Sequence, residues 1–142
     1  MLRRVAARHT AGVQIYVVED SRAVRERLIE MFSLVPHVRV VGHAATAEAA
    51  IHDILESKPD LVVLDLHLAE GSGFDVLRAV HPRAPGIEFY MLSNFSADPY
   101  RQLAERLGAL GFFDKSKEFE RVRDVVAKRA RCHAKRADQT LS

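Results

Sequence analysis

Residues Leu61–Leu66 read LVVLDL: an apolar run containing two β-branched valines, with a single aspartate near its end. A continuous apolar run of this length, without polar alternation, predicts a strand buried on both faces of a sheet. Four more runs of apolar, β-branched or aromatic residues recur along the chain: Val13–Val18 (VQIYVV), Val38–Val41 (VRVV), Ile87–Leu92 (IEFYML) and Leu110–Phe113 (LGFF). Helical patterns separate them. Asp20 and Ser21 suit a helix start, and Val24, Leu28, Met31 and Phe32 follow at helical spacing. Thr46 opens a second helix over Ala47–Glu56, with Ala50, Ile51, Ile54 and Leu55 on its apolar face. Ser72 opens a third, carrying Phe74, Leu77 and Val80 and stopping before Pro82. Asp98-Pro99 opens a fourth with Leu103 and Leu107, closed by Gly108. The fifth starts near Glu118 and carries Val122, Val125 and Val126. Five strand–helix alternations imply parallel strands joined by right-handed crossovers, hence an α/β fold with a doubly wound five-stranded sheet.

The 142 residues fit one domain with a substantial core, and 48% hydrophobic against 28% charged residues is the balance of a globular protein. A single cysteine, Cys132, excludes an intrachain disulfide. No apolar run approaches the ~20 residues that span a bilayer, and the N-terminal arginines have no apolar core behind them. The expected address is therefore the cytoplasm, away from membranes. Charge is unevenly distributed. Residues 1–12 carry Arg3, Arg4 and Arg8 and no acid, and residues 128–142 carry Lys128, Arg129, Arg131, Lys135 and Arg136 against Asp138, which leaves the middle acidic. An acidic body does not present the basic stripe of a nucleic-acid binder. The expected organisation is a basic extension over 1–12, a folded domain over 13–127 and a basic extension over 128–142. The stretch 118–136 reads either as a long helix that pairs with a second copy, giving a homodimer, or as a frayed tail. The short remainder after Phe119 leaves no room for a second folded domain.

Ligands of open parallel sheets gather at the carboxyl ends of the strands. The first strand ends in Glu19-Asp20, the third in Asp65, the fourth in Ser93-Asn94 and the fifth in Asp114-Lys115. Glu19, Asp20 and Asp65 would thus meet a hydroxyl and an ammonium at one edge. Three clustered carboxylates repel one another, and a hard divalent cation removes that conflict. Mg²⁺ prefers oxygen ligands and often shares its shell with a phosphate. Asp65 is then a plausible nucleophile, with Lys115 neutralising charge on a phosphoryl oxygen.

Together, Glu19-Asp20, Leu61–Asp65, Gly71-Ser72-Gly73, Ser93-Asn94 and Phe112-Phe113-Asp114-Lys115 resemble the receiver domain of two-component response regulators, over about residues 13–127. The resemblance implies a flavodoxin-like sheet of strand order 2-1-3-4-5 with five helices. It implies a phosphoacceptor at Asp65. Mg²⁺ would be held by Glu19, Asp20, Asp65 and the backbone carbonyl of His67. Ser93 would turn inward to the phosphoryl group, Lys115 would pair with it, and Phe112 would be the switch aromatic that follows Ser93. The implied function is a phosphorelay switch with no catalysis beyond its own phosphorylation and dephosphorylation. Its implied donors are a histidine kinase or a histidine phosphotransfer protein, and its output is the binding of a further protein.

Two positions depart from the family pattern. Ala69 and Ser116 stand where proline is common. Neither change removes a functional group, although Ala69 restores backbone freedom beside the metal site. Two other readings compete. One is a constitutive interaction module that keeps the fold without phosphorylation. The other is a Mg²⁺-dependent phosphohydrolase, which would want an acid two residues after the nucleophile, where this chain has His67.

Overall fold

The computed structural model describes residues 12–141, and beyond residue 133 it describes backbone only. The elements, in chain order, are β1 (Val13–Val18), α1 (Arg22–Ser33), β2 (Val38–Ala44), α2 (Ala47–Ser57), β3 (Leu61–Leu64), α3 (Gly73–Val80), β4 (Glu88–Ser93), α4 (Asp98–Arg106), β5 (Gly111–Asp114) and α5 (Phe119–Leu141). All strand pairs are parallel, in the order β2-β1-β3-β4-β5. This is the expected doubly wound sheet with five helices. The basic stretch 1–12 falls, but for Gly12, outside the described residues, whereas 128–141 continue α5 without a break.

The period-two alternation of strand side chains divides the interior. Tyr16, Val18, Val62, Leu64, Phe89 and Met91 face α2, α3 and α4, meeting Ala50, Ile54, Val76, Leu77, Val80 and Ala104. Ile15, Val17, Leu61, Val63, Leu92 and Phe113 face α1 and α5, meeting Leu28, Phe32, Phe119, Val122 and Val126. Because both faces are covered, β3 has no polar side chain at all.

Ser21, Thr46 and Ser72 each cap a helix through their hydroxyl oxygens, accepting from the amides of Val24, Ala49 and Asp75. Ser72 and Asp75 complete a reciprocal capping box, which satisfies two orphan amides at the start of α3. Helix α4 starts without such a bond: Ala97 is its cap residue, with Asp98 and Pro99 inside the first turn.

Several boundaries differ from the sequence reading. β2 runs on to Ala44 because Gly42, His43 and Ala44 pair with Tyr16, Val17 and Val18 after a one-residue bulge. That pairing is imposed by β1 and leaves no mark in the side chains of GHA. β3 ends at Leu64, so Asp65 and Leu66 leave the ladder. Leu110 lies outside β5 and is 62% exposed. On α4 the buried side chain is Ala104, while Leu103 and Leu107 are only half-buried.

A polar tie joins α2 to β1. The Tyr16 hydroxyl donates to the Asp53 carboxylate at 2.8 Å, and burial, followed by the hydrogen bond to Asp53, pushes its pKa up. Tyr16→Phe removes this bond and leaves the ring in place. It is expected to lower the free energy of unfolding by about 1 kcal/mol, measured by urea denaturation; an unchanged midpoint and slope would show that the bond contributes nothing net.

Candidate functional site

The strand registers bring the site together. Val18 pairs with Leu64, so Glu19 and Asp65 emerge side by side at one edge; Ser93 pairs with Asp114, so Lys115 emerges from β5 two residues further along and its side chain reaches back to both acids. The backbone continues the alignment: Asp65 N donates to Val18 O at 2.9 Å, and Lys115 N donates to Ser93 O at 2.9 Å. Carboxylate oxygens of Glu19, Asp20 and Asp65 lie within 4.8 Å of one another. Lys115 Nζ reaches Glu19 Oε1 at 2.6 Å and Asp65 Oδ2 at 2.8 Å.

Each group is held from behind. Glu19, only 1% exposed, accepts from Ser21 N at 2.9 Å through Oε2. Arg25 donates to the Glu19 carbonyl at 3.1 Å. Asp65 is 7% exposed, and its Oδ1 accepts from Leu66 N at 2.7 Å. Asp20 lies in the open, at the mouth. Burial pushes the pKa of Glu19 up, against the hydrogen bonds from Lys115 and Ser21 that pull it down. Burial alone would lower Lys115, but its hydrogen bonds to Asp65 and Glu19 outweigh that, and its pKa is raised. The ammonium is therefore charged at neutral pH. Two acids bond one ammonium, the third carboxylate lies close to theirs, and all their donors are oxygens. That donor set fits a hard divalent cation such as Mg²⁺.

Gly73 sets how close the next loop can come. Its amide donates to Leu66 O at 2.8 Å, and a Cβ built there would lie 2.4 Å from the Asp65 carbonyl oxygen. Gly71, at φ +81°, turns the chain into this approach. The glycines of Gly71-Ser72-Gly73 thus let the β3–α3 loop fold back over the aspartate.

Ser93 is fully buried at the end of β4, and its Oγ accepts from Phe95 N at 3.1 Å. Phe112 is half-buried beside a groove that Arg101, Glu105 and Leu110 also line. His67 is exposed, and its ring meets that of Phe95 edge-on at 4.2 Å. Asp114, although next to Lys115, turns the other way. It accepts from Ser96 Oγ, Ser116 Oγ and the amides of Ser116 and Lys117, and these bonds, Ser116's first, hold its carboxyl well below the usual range. It shapes the turn into α5.

Arg101 had no role in the sequence reading. Its Nε donates to Ser96 O at 2.7 Å and one terminal nitrogen to Phe112 O at 2.9 Å. The other terminal nitrogen reaches Glu118 at 3.5 Å. One signal was available: a cation one turn into a helix opposes the helix dipole and implies another reason for its presence.

The family model for the response regulator receiver domain matches residues 15–127, and the chain belongs to that family. Glu19, Asp20 and Asp65 are the acidic cluster typical of the family's phosphorylation and Mg²⁺ pocket. Among curated relatives, the chain is 32% identical over 124 residues to protein-glutamate methylesterase/protein-glutamine glutaminase 3 of Geobacter sulfurreducens, covering 84% of this chain and 33% of that protein. It is 30% identical over 103 residues to the DNA-binding transcriptional activator DevR/DosR of Mycobacterium tuberculosis, covering 72% and 48%. The chain thus spans a third to a half of these relatives. Among solved structures, it matches the response regulator domain of Thermotoga maritima CheB (TM-score 0.75, 25% identity, 87% of this chain and 97% of that one). It also matches the signal receiver domain of the putative response regulator NarL from Mycobacterium tuberculosis (TM-score 0.74, 27% identity, 87% and 97%). No helix among the described residues is long and apolar enough to cross a membrane.

Gly73→Ala tests the close approach over Asp65. The added methyl must displace the Asp65 carbonyl or the loop. Overpacking of this kind is expected to cost about 1–3 kcal/mol of stability. The expected outcome is a lower thermal midpoint and slower aspartyl phosphorylation; wild-type values of both would show that the loop has room to give.

Proposed function

We propose that the chain is the phosphoacceptor switch of a two-component phosphorelay, taking a phosphoryl group on Asp65 and acting through binding of another protein. The observation that carries this reading is the Lys115 ammonium bonded to both Glu19 and Asp65, with Asp20 beside them, at the carboxyl edge of a parallel sheet. Such a cluster has little structural purpose. Buried charges of this kind cost more to desolvate than they return in stability.

The donor is a phosphohistidine of a histidine kinase or a histidine phosphotransfer protein. An Asp65 carboxylate oxygen attacks the phosphorus, a P–O bond forms as the donor's P–N bond breaks, and the departing imidazole takes up a proton. Glu19, Asp20, Asp65 and the His67 carbonyl would hold Mg²⁺, which when bound offsets negative charge on the phosphoryl oxygens. Lys115 exchanges its bond to Asp65 Oδ2 for one to a phosphoryl oxygen, keeping a charge-assisted bond throughout. Ser93 gives up the Phe95 amide and donates its hydroxyl to a second phosphoryl oxygen. Phe112 then moves inward and changes the groove that Arg101, Glu105 and Leu110 share with it. Phosphorylation biases two pre-existing conformations. The aspartyl phosphate ends by hydrolysis within the same pocket, and no other catalysis is assigned.

Acetyl phosphate with Mg²⁺, followed by intact-protein mass measurement, tests the assignment. Wild type is expected to gain one phosphoryl group. Asp65→Asn is expected to gain none, and neither is wild type stripped of metal with EDTA. Equal labelling of Asp65→Asn would move the acceptor elsewhere. No labelling of wild type in Mg²⁺ would instead favour a constitutive interaction module.

A further inference from the structure

The switch reading gives Phe112 two positions, and the structure holds it in one of them through a residue that is not part of the phosphoryl pocket. Arg101, on α4, is that residue. Its guanidinium carbon lies 5.1 Å from the centre of the Phe112 ring, within cation–π range, while the same group donates to the Phe112 carbonyl. Two further contacts fix the guanidinium itself: the Ser96 carbonyl at 2.7 Å and the Glu118 carboxylate at 3.5 Å.

These contacts form a continuous path from the pocket. Ser93 Oγ is bonded to the amide of Phe95. The next residue, Ser96, is pinned twice, by its carbonyl to Arg101 and by its hydroxyl to Asp114 at 2.7 Å. Glu118 bonds the Asp114 amide at 3.0 Å and Arg101 together. A hydroxyl that leaves Phe95 therefore loosens the loop whose carbonyl steadies Arg101, and Arg101 covers the ring that must move.

We propose that Arg101 is a positioning residue that latches Phe112 in its half-exposed position, so that release of the β4–α4 loop by Ser93 is transmitted to the aromatic ring through the guanidinium. The proposal rests on the switch reading given above. It requires the planar, forked guanidinium. A lysine can supply charge but cannot hold three acceptors in fixed directions.

The test places 4-fluorophenylalanine at position 112 and follows its ¹⁹F signal, in wild type and in Arg101→Gln and Arg101→Lys, with and without beryllofluoride and Mg²⁺ as the phosphoryl analogue. Cooperative thermal unfolding confirms that each variant is folded, and the lysine variant stands in if glutamine prevents folding. Without the analogue, Arg101→Gln is expected to raise the ratio of inward to outward ring population by about two- to fivefold, the worth of one exposed cation–π contact. By reciprocity the beryllofluoride concentration for half-saturation falls by a similar factor. Arg101→Lys is expected to lie between. A residue that merely stabilised the fold would move neither quantity. If beryllofluoride shifts the ring in wild type but Arg101→Gln leaves its resting population unchanged, the latch is wrong and the switch stands. If beryllofluoride binds and the wild-type ring does not move, the switch role of Phe112 falls, and the latch with it.

Discussion

Three clustered carboxylates, two of them bonded to one ammonium, constrain everything else at the carboxyl edge. Lys115 can neutralise only one of them, and Glu19 is almost wholly removed from water. An arrangement of that kind relaxes unless it is held. It is held here by backbone register: β1 and β3 end at the same level, which sets Glu19 beside Asp65, while β4 and β5 run on past that level and carry Ser93 and Lys115 to the same edge. The apolar layers on both faces supply the free energy that keeps the strands in that register, since a slip by one residue would exchange the two faces. The hydrophobic core and the charged edge are thus two ends of one constraint, one providing the stability that the other spends.

The rest of the molecule attaches to this edge through short-range bonds. Leu66 N and Ser21 N each occupy one carboxylate oxygen, leaving the other to Lys115. The β3–α3 loop comes back over Asp65 because Gly73 has no side chain to keep it away. On the opposite side the turn into α5 is a separate polar knot, with Asp114 and Glu118 taking amides and hydroxyls of their own neighbourhood. Two acids next to the site are therefore committed to structure, and the division follows direction: Asp114 and Lys115 are adjacent in sequence and point apart.

Much of this was legible from residue types. Continuous apolar runs announced strands covered on both faces, and Ser21, Thr46 and Ser72 announced helix starts, because both signals depend on near neighbours. Glu19, Asp20, Asp65 and Lys115 were legible because a parallel sheet puts strand ends together. What escaped depends on contacts across loops. The extension of β2 through Gly42–Ala44 is dictated by its partner strand. The three acceptors of Arg101 lie on a loop, a strand and the turn before α5, and no periodicity in the sequence links them. Leu103 and Leu107 are spaced for a core face, yet α4 buries the small Ala104 and leaves them at the margin.

The bond from Lys115 N to the Ser93 carbonyl has a consequence for timing. It ties Ser93 and Lys115, the two residues proposed to meet the phosphoryl group, by their backbones, so Ser93 can reorient its hydroxyl about a single side-chain torsion while the lysine stays in place. A turn about one torsion displaces a single hydroxyl, whereas a loop rearrangement, at roughly nanoseconds to microseconds, moves a whole segment. The pocket can therefore reorganise around an incoming group well before the β4–α4 loop does, and any delay between chemistry and signal resides in the loop.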